Sequence, residues 1–191
     1  VLLPPEDIMD KAIEINNQFS DNPIRLNKEN CLPHISLAMG VIDEKNVKEA
    51  SGIIKEIASQ FEIFELKVSK YRNSITPKGN IVSEFAIGKT DNLYDLHVTV
   101  MKKLGHLLTC DDATVGMVCS PPKVEEITLH WIKGFLRNSS FKNYKPHITL
   151  GFGQIENVEI PISFKPGALA LCHLGNYCTC KKVLYSTDLG R

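Results

Sequence analysis

The amino-acid pattern predicts an α+β fold, with largely antiparallel sheets and helices on the outside. Three observations carry that expectation. Apolar residues recur at helical spacing in some segments and at strand spacing in others. The two kinds of segment are mixed, without the long βαβ alternation that builds a parallel sheet. An eight-residue strand-like element also occurs twice, which predicts two lobes related by an internal two-fold. The chain has 191 residues, of which 43% are hydrophobic and 23% charged. That is an ordinary globular composition, expected to form a single domain over 1–191 whose two lobes share a core.

Residues 5–19 read as an amphipathic helix. Pro5 stands near its start, Glu6 and Asp7 follow, and Ile8, Ala12, Ile15 and Phe19 fall on one stripe. Residues 32–42 read as a strand, and 43–61 as a helix with Val47, Ala50, Ile54, Ile57, Ala58 and Phe61 inward. Strand patterns occupy 62–72 and 80–88, separated by Asn73-Ser74 and Pro77-Lys78-Gly79 turn signals. A third helix runs from Asp91 through Leu93, Leu96, Val100, Met101 and Leu104. A loop at 109–122 ends in Pro121-Pro122, and 123–138 fits either a short helix or a strand. Residues 146–153 read as a strand, with further short strands near 158–165, 168–174 and 182–187.

The duplicated element is the informative one. Residues 33–40 read Pro-His-Ile-Ser-Leu-Ala-Met-Gly, and residues 146–153 read Pro-His-Ile-Thr-Leu-Gly-Phe-Gly. Five of the eight positions are identical, and Ser36 against Thr149 keeps the hydroxyl. Side chains alternate faces along a strand. His34, Ser36 and Ala38 therefore share one face, opposite Ile35, Leu37 and Met39. In the second copy, His147 and Thr149 share a face, opposite Ile148, Leu150 and Phe152. The small residues beyond each polar pair are expected to leave room for a ligand. Positions i and i+2 lie roughly 6.6 Å apart along a strand, so imidazole and hydroxyl can flank one phosphoryl group. Two imidazoles about one phosphorus supply a general base for water and a general acid for the departing ribose oxygen. This chemistry calls for neither metal nor cofactor.

At these residues the sequence resembles the 2H phosphoesterase superfamily, which includes RNA 2′,5′-ligase/2′,3′-cyclic phosphodiesterase-like proteins. The resemblance rests on His34-Ile35-Ser36-Leu37 and His147-Ile148-Thr149-Leu150, whose histidines are 113 residues apart. It implies a bilobal fold with two antiparallel sheets flanking a central cleft. It also implies metal-independent cleavage of a 2′,3′-cyclic phosphate, or a related cyclic phosphate, on a nucleotide or RNA end. By that pattern His34 is the proton donor, His147 the proton acceptor, and Ser36 and Thr149 bind phosphate. The alternatives are a 2′,5′-phosphodiester ligase or hydrolase, and a nucleotide-binding module with little turnover. Several relatives carry a basic residue shortly after the second motif, where this chain has Gly151-Phe152-Gly153. Phosphate charge then falls to other donors, with Lys145 or Lys142 as neighbours in sequence. Tyr144 is a candidate for stacking on a base, whereas parity assigns Phe152 to the core.

The 22 basic and 22 acidic residues leave no net formal charge. That favours a small nucleotide or an RNA end over a long duplex. No apolar stretch suggests a membrane span, and no signal-peptide pattern opens the chain. A cytoplasmic monomer with six reduced cysteines is the expectation. Weaker signals are discounted. Residues 83–90 approach a P-loop, but Ser83 replaces the first glycine and Phe85 and Ile87 crowd the loop, so a strand-to-helix turn is expected. Cys172, His173, Cys178 and Cys180 lack the usual zinc spacing. Neither histidine motif has a nearby carboxylate for a bimetallic site, and no G-x-S-x-G elbow is present. His97, His106 and His130 read as structural or surface residues.

Overall fold

The computed structural model describes residues 1–76, 78–119, 123–154 and 162–190. Among the described residues, four helices and two antiparallel sheets form an α+β fold. The strands are β1 (Leu2–Leu3), β2 (Leu66–Ile75), β3 (Ile81–Ile87), β4 (His147–Phe152), β5 (Ile162–Phe164), β6 (Ala168–Leu174) and β7 (Cys180–Thr187). The helices are α1 (Glu6–Asn16), α2 (Val47–Gln60), α3 (Asp91–Leu104) and α4 (Glu126–Asn138). One sheet has the order β1-β6-β7, the other β4-β3-β2-β5. The segment left open between helix and strand is α4, which buries Thr128, Ile132 and Phe135. The strand expected near 158–165 is described only from Ile162 onward. The Pro77 and Pro121-Pro122 signals lie outside the described residues.

Each helix follows from its stripe and its ends. In α1, Glu6 and Asp7 occupy the first turn, where carboxylates meet the positive helix end. It buries Ile8, Ala12 and Ile15, then stops at Asn16, three residues before the expected end. The reason is chemical. Asn16 Nδ2 donates to the carbonyls of Ile24 (2.8 Å) and Leu150 (2.6 Å), and its Oδ1 accepts from the Leu26 amide (3.0 Å). That fully buried amide turns the chain back and fastens α1 to β4. The region read as a near P-loop is β3 running into α3. Thr90 caps α3 by accepting from the Leu93 amide, and Lys102 and Lys103 close it. The main core gathers Ile8, Ile15, Ile54, Ile57, Leu66, Phe85, Leu93 and Leu96 with the inward residues of both motifs.

The strand expected over 32–42 does not form as a ladder. Its backbone groups are shared among separate partners instead. The Leu32 amide donates to Cys180 (3.1 Å), while Ile35 exchanges bonds with Leu2 (2.9 and 2.8 Å). Ile35 also bridges Ile148 in antiparallel sense, and Val41 exchanges bonds with Thr109 (2.6 and 3.0 Å). An extended segment bonded alternately to four neighbours satisfies its polar groups without being a member of one sheet. Ile35 thus ties β1 to β4, and with them the edges of the two sheets.

Candidate active site

The Ile35–Ile148 bridge brings the two motifs together. In an antiparallel pair, residues flanking the bridge face one another. Continued from that one bridge, antiparallel register sets His34 opposite Thr149 and Ser36 opposite His147. Burial follows the expected parity. Ile35, Leu37, Ile148 and Leu150 are fully buried, while His34, Ser36, His147 and Thr149 retain partial exposure.

The two imidazoles are held in the same way. Nδ1 of His34 bonds the carbonyl of Leu32, and Nδ1 of His147 bonds that of Lys145, each at 2.9 Å. A carbonyl only accepts, so Nδ1 carries the proton in both rings and Nε2 is left as the reactive nitrogen. Burial drives the His34 pKa down to about 4, outweighing the carbonyl bond that favours the imidazolium, and the Val1 ammonium and then His147 add repulsion in the same direction. At neutral pH His34 is therefore the neutral imidazole, a proton acceptor at Nε2.

The β3 register extends this face. Ala86 lies opposite His147 and Glu84 opposite Thr149, after an irregularity between Ser83 and Glu84. Arg72 of β2 lies opposite Glu84 in turn. Glu84 is a buried carboxylate whose Oε1 accepts from Arg72 Nε and whose Oε2 stands 3.8 Å from His147 Nε2. The sequence reading missed both residues. Nothing in the linear spacing joins positions 72 and 84 to 147; only strand register does.

Two expectations need correction. Tyr144 is not a stacking platform for substrate. It is 4% exposed and lies flat on the ring of His97, with centroids 3.9 Å apart and planes at 3°. Gly151 and Gly153 do not open ligand space. Both have positive φ, and a Cβ at Gly151 would stand 2.3 Å from Asn22 Nδ2, one at Gly153 2.4 Å from Phe19 Cδ1. They admit protein side chains from the α1 end. Lys145 is exposed and acts here through its backbone carbonyl. Phe152 is half-buried, edge-on to Tyr177 at 5.1 Å.

His97, expected to be structural or on the surface, is fully buried. A cavity of about 940 Å³ opens beside the first motif, lined by His34, Ser36, Ala38, Val41, Thr179 and Lys182 among others. His147 and Thr149 do not line it. Among the described residues no cluster of three His, Cys, Asp or Glu side chains is arranged to hold a metal ion, and no helix is long and apolar enough to cross a membrane. Compared with protein-family models and with curated proteins, the chain matches none.

Proposed function

We propose that the chain is a phosphodiesterase of the 2H type, opening a 2′,3′-cyclic phosphate on a nucleotide or RNA end. The supporting observation is the pairing of Ile35 with Ile148, with each neighbouring histidine anchored through Nδ1 to a carbonyl two residues earlier. Two equivalent Nε2 atoms and two hydroxyls on one face suit a single phosphoryl group. In this reading the motifs are related by a pseudo-two-fold, and substrate lies in a cleft between the sheets. The cavity beside His34 receives its nucleoside part.

The environments support a proton order opposite to the one implied by the family pattern. His34, neutral near pH 7, takes a proton from the attacking water through Nε2. His147, with Glu84 as counter-charge, donates its Nε2 proton to the departing ribose oxygen. The P–O bond to water forms as the ring P–O bond breaks, leaving a phosphomonoester and a free hydroxyl. Ser36 and Thr149 donate to non-bridging oxygens, and no metal is required by these steps.

The test is hydrolysis of 2′,3′-cyclic nucleotides in EDTA, followed by phosphorus NMR. Replacing His34 or His147 by Ala should each cost roughly 10²–10⁴ in kcat. A His34→Ala enzyme of unchanged rate would refute the assignment. Binding of nucleotides without hydrolysis would favour a binding module instead.

A further inference from the structure

We infer that Glu84, held by Arg72, is the positioning residue that pairs with the proton-carrying form of His147. This rests on the phosphodiesterase reading for its catalytic consequence, though the pairing itself can be measured without substrate. The arrangement is a row across three strands. Register aligns Arg72, Glu84 and Thr149, and the antiparallel bridge continues the row to His34. A carboxylate only 6% exposed in its side chain needs compensation. Arg72 supplies it at Oε1. Oε2 stands 3.8 Å from Nε2 of His147. With Nδ1 committed to Lys145, the second proton of the imidazolium sits on Nε2, and Glu84 at 3.8 Å acts on it as a nearby charge without taking up its hydrogen bond.

The charged and titratable groups around His147 come from every side of it. Glu84 faces it from β3, and Arg72 stands behind Glu84 on β2. Lys70, also on β2, lies across Ala86 from it. His34 approaches across the bridge, and Lys145 precedes it in the chain. Among the described residues, Glu84 is the carboxylate paired with His147. Removing it removes the attraction that favours the imidazolium, whereas removing Arg72 strengthens that attraction. Substitutions of the two residues should therefore move the His147 midpoint in opposite directions.

The experiment is a histidine-ring NMR titration of the free protein, run on wild type, Glu84→Gln, Glu84→Asp and Arg72→Gln. It is paired with kcat and KM for a 2′,3′-cyclic nucleotide. Glu84→Gln should move the His147 midpoint down by about 1 pH unit, and Arg72→Gln should move it up. The Asp variant should fall between Gln and wild type. In turnover, Glu84→Gln should lower kcat about tenfold with KM changed less than about twofold. A folded Glu84→Gln protein with an unmoved His147 midpoint overturns the inference. If that variant does not fold, Arg72→Gln decides it, and a downward or absent shift overturns it. If wild type opens no cyclic phosphate, the proposed function fails, while the midpoints still decide whether Glu84 and His147 are coupled.

Discussion

Replacing His97 by Phe should destabilise the protein by ~4 kcal/mol, because one buried imidazole joins the approaches to both motifs. Its Nδ1 bonds the carbonyl of Leu37, next to Ser36, at 2.6 Å. Its Nε2 accepts from the Phe141 amide at 2.8 Å, six residues before His147. The two bonds require the neutral ring with its proton on Nδ1. Phe141 has φ of +50°, a left-handed conformation that a bulky side chain resists, and the amide bond to His97 helps hold it there. Phenylalanine keeps a flat ring against Tyr144 but leaves one buried carbonyl and one amide unpaired. Each costs ~1–3 kcal/mol, and the midpoint of that range for two groups is the figure above. In a domain of this size it corresponds to a fall in Tm on the order of 10 °C.

Urea unfolding followed by far-UV circular dichroism measures the effect. A pH series adds a second signature. Burial lowers the His97 pKa below its ordinary value, against the Leu37 bond that raises it. The folded state therefore binds that proton less readily than the unfolded chain. The stabilisation is full above the unfolded value near 6.5 and is lost as pH falls below it. His34 behaves the same way between about 6.5 and its folded value of about 4. His97→Phe should flatten the acid slope without abolishing it. A variant within about 1 kcal/mol of wild type, with the same slope, would refute the reasoning.

Other outcomes follow from the same contacts. Asn16→Ala removes three buried hydrogen bonds and should cost ~3 kcal/mol in chemical denaturation. Gly151→Ala combines a φ of +143° with a close approach to Asn22, and thermal unfolding should show a loss of ~2 kcal/mol. Ser36→Ala and Thr149→Ala should each raise KM for a cyclic nucleotide about tenfold, the loss of one hydrogen bond to a charged oxygen; unchanged KM in both would remove them from the phosphate site. Tyr144→Phe should leave KM unaltered, because its buried hydroxyl has no hydrogen-bond partner among the described residues and its ring is stacked on His97.

Local patterns of period two and 3.6 are written in adjacent residues, and they were legible. The stripes of α1, α2 and α3 and the inward-outward alternation of His34-Ile35-Ser36-Leu37 could be read directly. So could the duplication that singles out two histidines and two hydroxyls, since identity between distant octapeptides needs no coordinates. Tertiary structure decided what depends on partners distant in sequence. It divided 32–42 among Cys180, Leu2, Ile148 and Thr109 instead of one ladder, because hydrogen bonding is satisfied wherever the neighbours lie. It filled the space at Gly151 and Gly153 with Asn22 and Phe19, and it laid Tyr144 on His97. It also set Glu84 beside His147 and Arg72 behind Glu84, since strand register, which no local spacing encodes, aligns residues 72, 84 and 149.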